Sequence, residues 1–131
     1  MAARPNKCVR IIATGMTRLS LKVPKSPSQL MQDALMIALG SIGLKTNVIN
    51  GLIAVPSLAE THFMEAHYLA TAIGLLPGKS IVVRTVDTGG AGPVTGLLEA
   101  KRMIEIEGAD LVAVVAGDAV KNMSAESFLK K

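Results

Sequence analysis

Glycine crowds one junction of this 131-residue chain, the stretch TVDTGGAGPVTG at residues 85–96. The apolar run SIVVRTV leads into it and the amphipathic stretch LLEAKRMIEIEG follows, so the pattern is a strand turning into a helix. Gly89, Gly90 and Gly92 allow backbone dihedrals closed to other residues. Pro93 is pre-organised for a first helical turn. Unpaired N–H groups there, together with the helix dipole, favour an anion or a developing oxyanion. Three readings stand: a phosphate cradle, the seat of a nucleophile, or a tight turn that needs no ligand. Gly90, Gly92 and Gly96 imitate a dinucleotide fingerprint. That fingerprint belongs in the first strand-to-helix turn, and the turn after Gly15 lacks it. No Gly-Lys-Ser/Thr closes the turn, which excludes a Walker phosphate loop. Gly92, Gly96 and Ala100 lie four apart, a smooth stripe suited to close packing.

Other chemistry-bearing residues read more blandly. His62 and Glu65 share a face of the second predicted helix, as a metal pair would. His67 falls on another face and no third ligand is visible, so no metal site is expected. Asp87 and Asp118 end strands, a good address for catalysis in an open sheet; capping of the adjacent turn by Asp87 or Thr88 is the simpler reading. Seven methionines read as core filler. The single cysteine, Cys8, excludes an internal disulfide and a Cys-based zinc cage.

The elements that must hold the junction follow from composition and period. Half the residues are hydrophobic but aromatics are 2%, so the core is built from small aliphatics and Met, as suits buried strands. Residues 8–15 (CVRIIATG) read as a first strand. Ser26 and Pro27 cap and open a first helix that stops near Gly43. The second strand lies within residues 46–56. SLAE at residues 57–60 fits a capping box for a second helix running to Gly74. Strands are expected at residues 80–87 and 110–117, and a third helix at about 93–107. One more helical turn fits the tail beyond Asp118. The order β-α-β-α-β-α-β argues for one α/β domain over residues 1–131, with a mostly parallel sheet and helices on both faces. The formal net charge of +4 is scattered and lacks an aromatic platform, which argues against nucleic-acid binding. No run is long and apolar enough for a membrane span, and no secretory h-region opens the chain, so an intracellular setting is expected.

Two stretches carry a family resemblance. TVDTGGAGPVTGLLEAKRMIEIEGADLVAVVAGDAVKNMS resembles the centre of the thiolase N-terminal half: a strand, a glycine-bearing turn, a buried helix ending in GAD (Gly108 to Asp110), an apolar strand, Gly117, then Met123-Ser124. GLIAVPSLAETHFMEAHYLATAIGLLPGKSIVVRTVDT is similar to the strand-helix-strand before it, and the flavour is closest to sterol-carrier-protein-type thiolases and relatives lacking the nucleophile. The resemblance implies a thiolase-like N-terminal subdomain, acyltransferase ancestry in lipid metabolism, and a coenzyme A thioester as ligand, with no bound cofactor. It implies substrate contacts at Gly90, Ala91 and Gly92. It also implies a homodimer, or a place in a larger assembly, through Val82, Val83, Arg84 and Thr85. Two departures stand beside the match. The family's nucleophilic cysteine falls at Gly89, Gly90 or Ala91, none of which is cysteine. The C-terminal half, with its Gly-His-Pro motif and second cysteine, is missing, and a further strand should follow Met123. The expectation is a thiolase-like chain, whether fragment, truncated product or one polypeptide of a split assembly, without thiolase chemistry of its own. The alternatives are an acyl-CoA or protein-binding scaffold, or a subunit whose partner supplies the missing nucleophile or base.

Overall fold

In the computed structural model, residues 8–20, 24–78 and 80–119 are described. The tail turn and the Met123-Ser124 motif expected from sequence lie outside these. Among the described residues three helices alternate with three strands: α1 (Pro27–Ser41), β1 (Gly51–Val55), α2 (Glu65–Ala72), β2 (Val82–Thr85), α3 (Gly92–Glu105) and β3 (Val112–Ala116). The strands form one parallel sheet in the order β2-β1-β3. The α/β class, the parallel sheet and the helices on both faces are as the sequence implies.

Each element has a local cause. Ser26 Oγ accepts from Gln29 N at 3.2 Å while Ser26 N donates to Gln29 Oε1 at 2.9 Å, so a reciprocal capping box opens α1, with Pro27 in its first turn. Met31, Leu35 and Leu39, four apart, form its buried stripe. Leu52, Ile53 and Ala54 are wholly buried because β1 is central and covered on both faces. Leu52 and Ala54 join α1 and α2 in one apolar cluster, with Val115. Ile53 joins Ala100 and Met103 of α3 in the other, with Val112 and Val114 against it. Burying Leu52 or Ile53 stabilises by about 1.5–3 kcal/mol each. At the amino end of the sheet, Asn50 Oδ1 accepts from Asp110 N at 2.9 Å and Leu111 N at 3.1 Å, fastening β1 to β3 in register.

Two sequence expectations are corrected. Residues 8–15 form no strand. Gly15 is pressed against the α1 backbone, where a Cβ would stand 2.5 Å from Ala38 N. A groove of about 760 Å³ separates residues 8–15 from β3, so no sheet edge is within pairing reach. The second correction is at residues 57–60, which do not start α2; it starts at Glu65. Ser57 Oγ does accept from Glu60 N at 3.0 Å, as a cap would. But Asp118 takes the amides of Leu58 (2.8 Å) and Ala59 (3.1 Å), and a helix cannot propagate from a loop held that way.

Candidate functional site at the carboxyl edge of the sheet

The chain leaves β1 towards α2 on one face and leaves β2 towards α3 on the other. The crevice between two such strand ends is where open α/β sheets bind ligands. Val55 and Thr85 end these two strands, and the glycine turn comes back onto Val55.

The turn is a short 3-10 segment, Gly89–Ala91, running directly into α3. Gly89 has φ +60°, a region that strains any residue with a side chain. Gly92 seats α3 on the strand end: a Cβ there would stand 2.7 Å from Val55 Cγ1. Gly96 does the same one turn on, at 2.8 Å from Val114 Cγ1. Gly92, Gly96 and Ala100 are all buried, so the stripe read from sequence is the face that lets α3 lie close to the sheet. The consequence is positional. With α3 fixed this closely, its N-terminal turn is held over the end of β1 while Gly89, Gly90 and Ala91 stay exposed.

No side chain caps α3, and its first turn holds no acidic residue. The capping expected of Asp87 or Thr88 is therefore corrected. Thr88 Oγ1 donates to Thr95 Oγ1 at 3.0 Å, and Thr95 Oγ1 donates to Ala91 O at 3.1 Å, which stiffens the turn; within it Ala91 N donates to Thr88 O at 3.3 Å and Gly92 N to Gly89 O. Asp87 is exposed and takes no part. The helix dipole and the first-turn amides not engaged within the turn favour an external acceptor.

Asp118 is a structural anchor. It accepts from Ser57 Oγ at 2.8 Å and from the amides of Leu58, Ala59 and Ala119, tying the end of β3 to the loop leaving β1. Glu65 is wholly buried in the first turn of α2. Its Oε2 accepts from His62 N at 3.2 Å and its Oε1 has no partner. Burial pushes its carboxyl above the ordinary range. The His62 amide and imidazole pull the other way, and Glu60 and Asp118 add to the rise. Next to it, Ala66 N donates to Thr85 Oγ1 at 3.0 Å, docking α2 on the last residue of β2. His62 and Glu65 meet through a backbone bond, not as paired ligands, because His62 precedes the helix. The His62 ring stacks on Tyr68, with centroids 3.8 Å apart and 11° between planes. Among the described residues no three His, Cys, Asp or Glu side chains gather as a metal cluster.

The four residues expected at a dimer edge form β2 itself, and half-burial is shared among them. Arg84 pairs with Glu107 and, at 3.5 Å, with Glu99, so its side chain serves α3 of the same chain. Val82 N and Val86 N donate to β1, at Asn50 O and Ala54 O. By alternation, the N–H groups of Val83 and Thr85 face the outer edge. Cys8 is exposed and lines the groove beside β3, at the opposite edge of the sheet from β2. Sequence reading missed the Ser57–Asp118 anchor and the burial of Glu65. The one available signal was Asp118 directly after an apolar strand.

The fold these elements define is thiolase-like. It resembles a solved structure, 3-oxoacyl-[acyl-carrier-protein] synthase III from Aquifex aeolicus VF5, with a TM-score of 0.65 and 15% sequence identity. The match covers 84% of this chain and 35% of that one, so this chain spans about a third of its length. No protein-family model matches this chain, and no curated protein matches it in sequence. Among the described residues no helix is long and apolar enough to cross a membrane.

Proposed function

We propose that this chain is a thiolase-like, acyl-thioester-binding unit of lipid metabolism inside the cell, akin to sterol-carrier-protein-type thiolases and lacking thiolase chemistry of its own. The observation that carries this reading is the glycine turn. It stands exposed at the carboxyl edge of a thiolase-like sheet, with no side-chain cap on its helix; on the family resemblance, Gly89, Gly90 or Ala91 takes the position of the thiolase cysteine. Gly90, Ala91 and Gly92 form the seat of the thioester carbonyl of an acyl-coenzyme A, favoured there by the helix dipole and by the amides not engaged within the turn, an oxyanion-type contact that survives loss of the nucleophile. Without a thiol in the turn, no acyl-enzyme of the thiolase kind forms there. The purified chain is expected to show no thiolysis of acetoacetyl-CoA and no condensation of acetyl-CoA; robust turnover in either assay overturns the reading.

A second reading, a subunit completed by a partner, is favoured by the open edge of β2. An edge with N–H groups facing outward recruits another strand. We place a two-fold pairing of β2 with its twin there, through Val82, Val83, Arg84 and Thr85. Val83→Pro removes an outward N–H while sparing the bonds to β1. Light scattering is expected to show a dimer for the native chain and a folded monomer for the variant. An unchanged mass for both contradicts the pairing.

A further inference from the structure

We propose that Glu65 is a proton-bearing positioning residue of the carboxyl-edge site: uncharged, it lets the first turn of α2 dock on Thr85; ionised, it releases that turn and loosens the approach to the glycine turn. The geometry supplies the argument. Glu65 is wholly buried, and one of its carboxyl oxygens has no partner. The titratable groups facing it are His62 and Glu60, from the approach to α2, and Asp118, from the end of β3. Two of these three are acidic. The packed strands contribute no cation: β1 presents Leu52 and Ala54 to that face, and β2 presents Val83 and Thr85. Arg84 lies on the other face, held by Glu99 and Glu107. A carboxylate at this position would be a buried charge beside two of like sign, a costly arrangement relieved by opening to solvent.

The residue after Glu65 makes the bond at stake, Ala66 N to Thr85 Oγ1 at 3.0 Å. Thr85 is the last residue of β2, and the chain runs from it through Val86, Asp87 and Thr88 into the glycine turn. The sign of the effect is fixed. Burial raises Glu65 above its unfolded value, so above that value the closed state holds more protons than the open one. Closure is therefore fully favoured below the unfolded value and weakens as pH rises towards the folded one. The consequence for ligand rests on the acyl-thioester reading above; the latch itself does not.

The test is amide hydrogen exchange of the ligand-free chain from about pH 5 to about pH 8, corrected for intrinsic rates. In the native chain the opening of residues 62–70 is expected to become severalfold more frequent as pH rises over that range. Glu65→Gln, neutral and isosteric, is expected to be flat. Glu60→Gln removes a repelling charge at an exposed site, keeps Glu65, lowers its closed-state pKa, and is expected to make the rise in opening smaller and complete at lower pH. A pH-independent native chain, a Glu65→Gln variant that tracks it, or a Glu60→Gln variant whose opening rises as much as the native chain's overturns the proposal. Because no ligand is present, failure to bind acyl-CoA leaves this result untouched, and the reverse holds as well.

Discussion

Gly96→Leu is expected to lift α3 from the sheet and to cost about 3 kcal/mol or more, a large share of the roughly 5–15 kcal/mol that holds a domain folded. Even a single added carbon meets Val114 Cγ1 at 2.8 Å and Ile53 Cγ2 at 3.6 Å. Leucine adds three more where the first does not fit. Gly96→Ala separates the two terms. It regains about 1 kcal/mol of helix propensity and loses about 1–3 kcal/mol to overpacking, so a small net destabilisation is expected. Gly40 is the control, since it lies in α1 with open space where its Cβ would be. Gly40→Ala is expected to stabilise by about 0.5–1 kcal/mol. Urea unfolding of the three variants checks the order. A Gly96→Leu variant as stable as the native chain would mean that α3 does not rest on Ile53 and Val114.

Gly90→Cys, in a Cys8→Ser background, is expected to create a reactive thiol. Gly90 stands in the turn just before α3, and a side chain there meets nothing within 4 Å. A thiolate at a helix N-terminus with no side-chain cap gains from the dipole, which lowers a cysteine from about 8.5 to about 7.5 or below. Gly89 is the poorer choice because its φ of +60° disfavours a side chain. The pH profile of iodoacetamide alkylation is the readout, with Cys8 of the native chain as the exposed reference. A midpoint at or above the reference would show that the turn does not stabilise negative charge, and the oxyanion role would fall with it.

The glycine turn was legible because its physics is local. Strand, glycines and proline are consecutive, and the stripe of Gly92, Gly96 and Ala100 follows from helical spacing alone. The same is true of the Ser26 box, whose partner is three residues away. What sequence reasoning misplaced depends on partners distant along the chain. Ser57 looks like a helix cap until Asp118, sixty-one residues on, claims its hydroxyl and the amides beyond it. Residues 8–15 have the composition of a strand, but a strand exists only where a neighbouring edge is within reach, and here a groove intervenes. Glu65 carries no sign of its burial. In the sequence it is one acidic residue between polar and apolar neighbours, and the docking of α2 on Thr85, together with the preceding loop at His62, encloses it.

The central claim is that the glycine turn receives the carbonyl of an acyl thioester. The direct measurement is a titration of the ¹⁵N-labelled chain with acetyl-CoA, following each backbone amide. The account predicts saturable shifts largest at Gly89, Gly90, Ala91, Gly92 and Val94, and smaller ones there with coenzyme A alone, which lacks the acyl carbonyl. Saturating acetyl-CoA that leaves these five amides unmoved would contradict it.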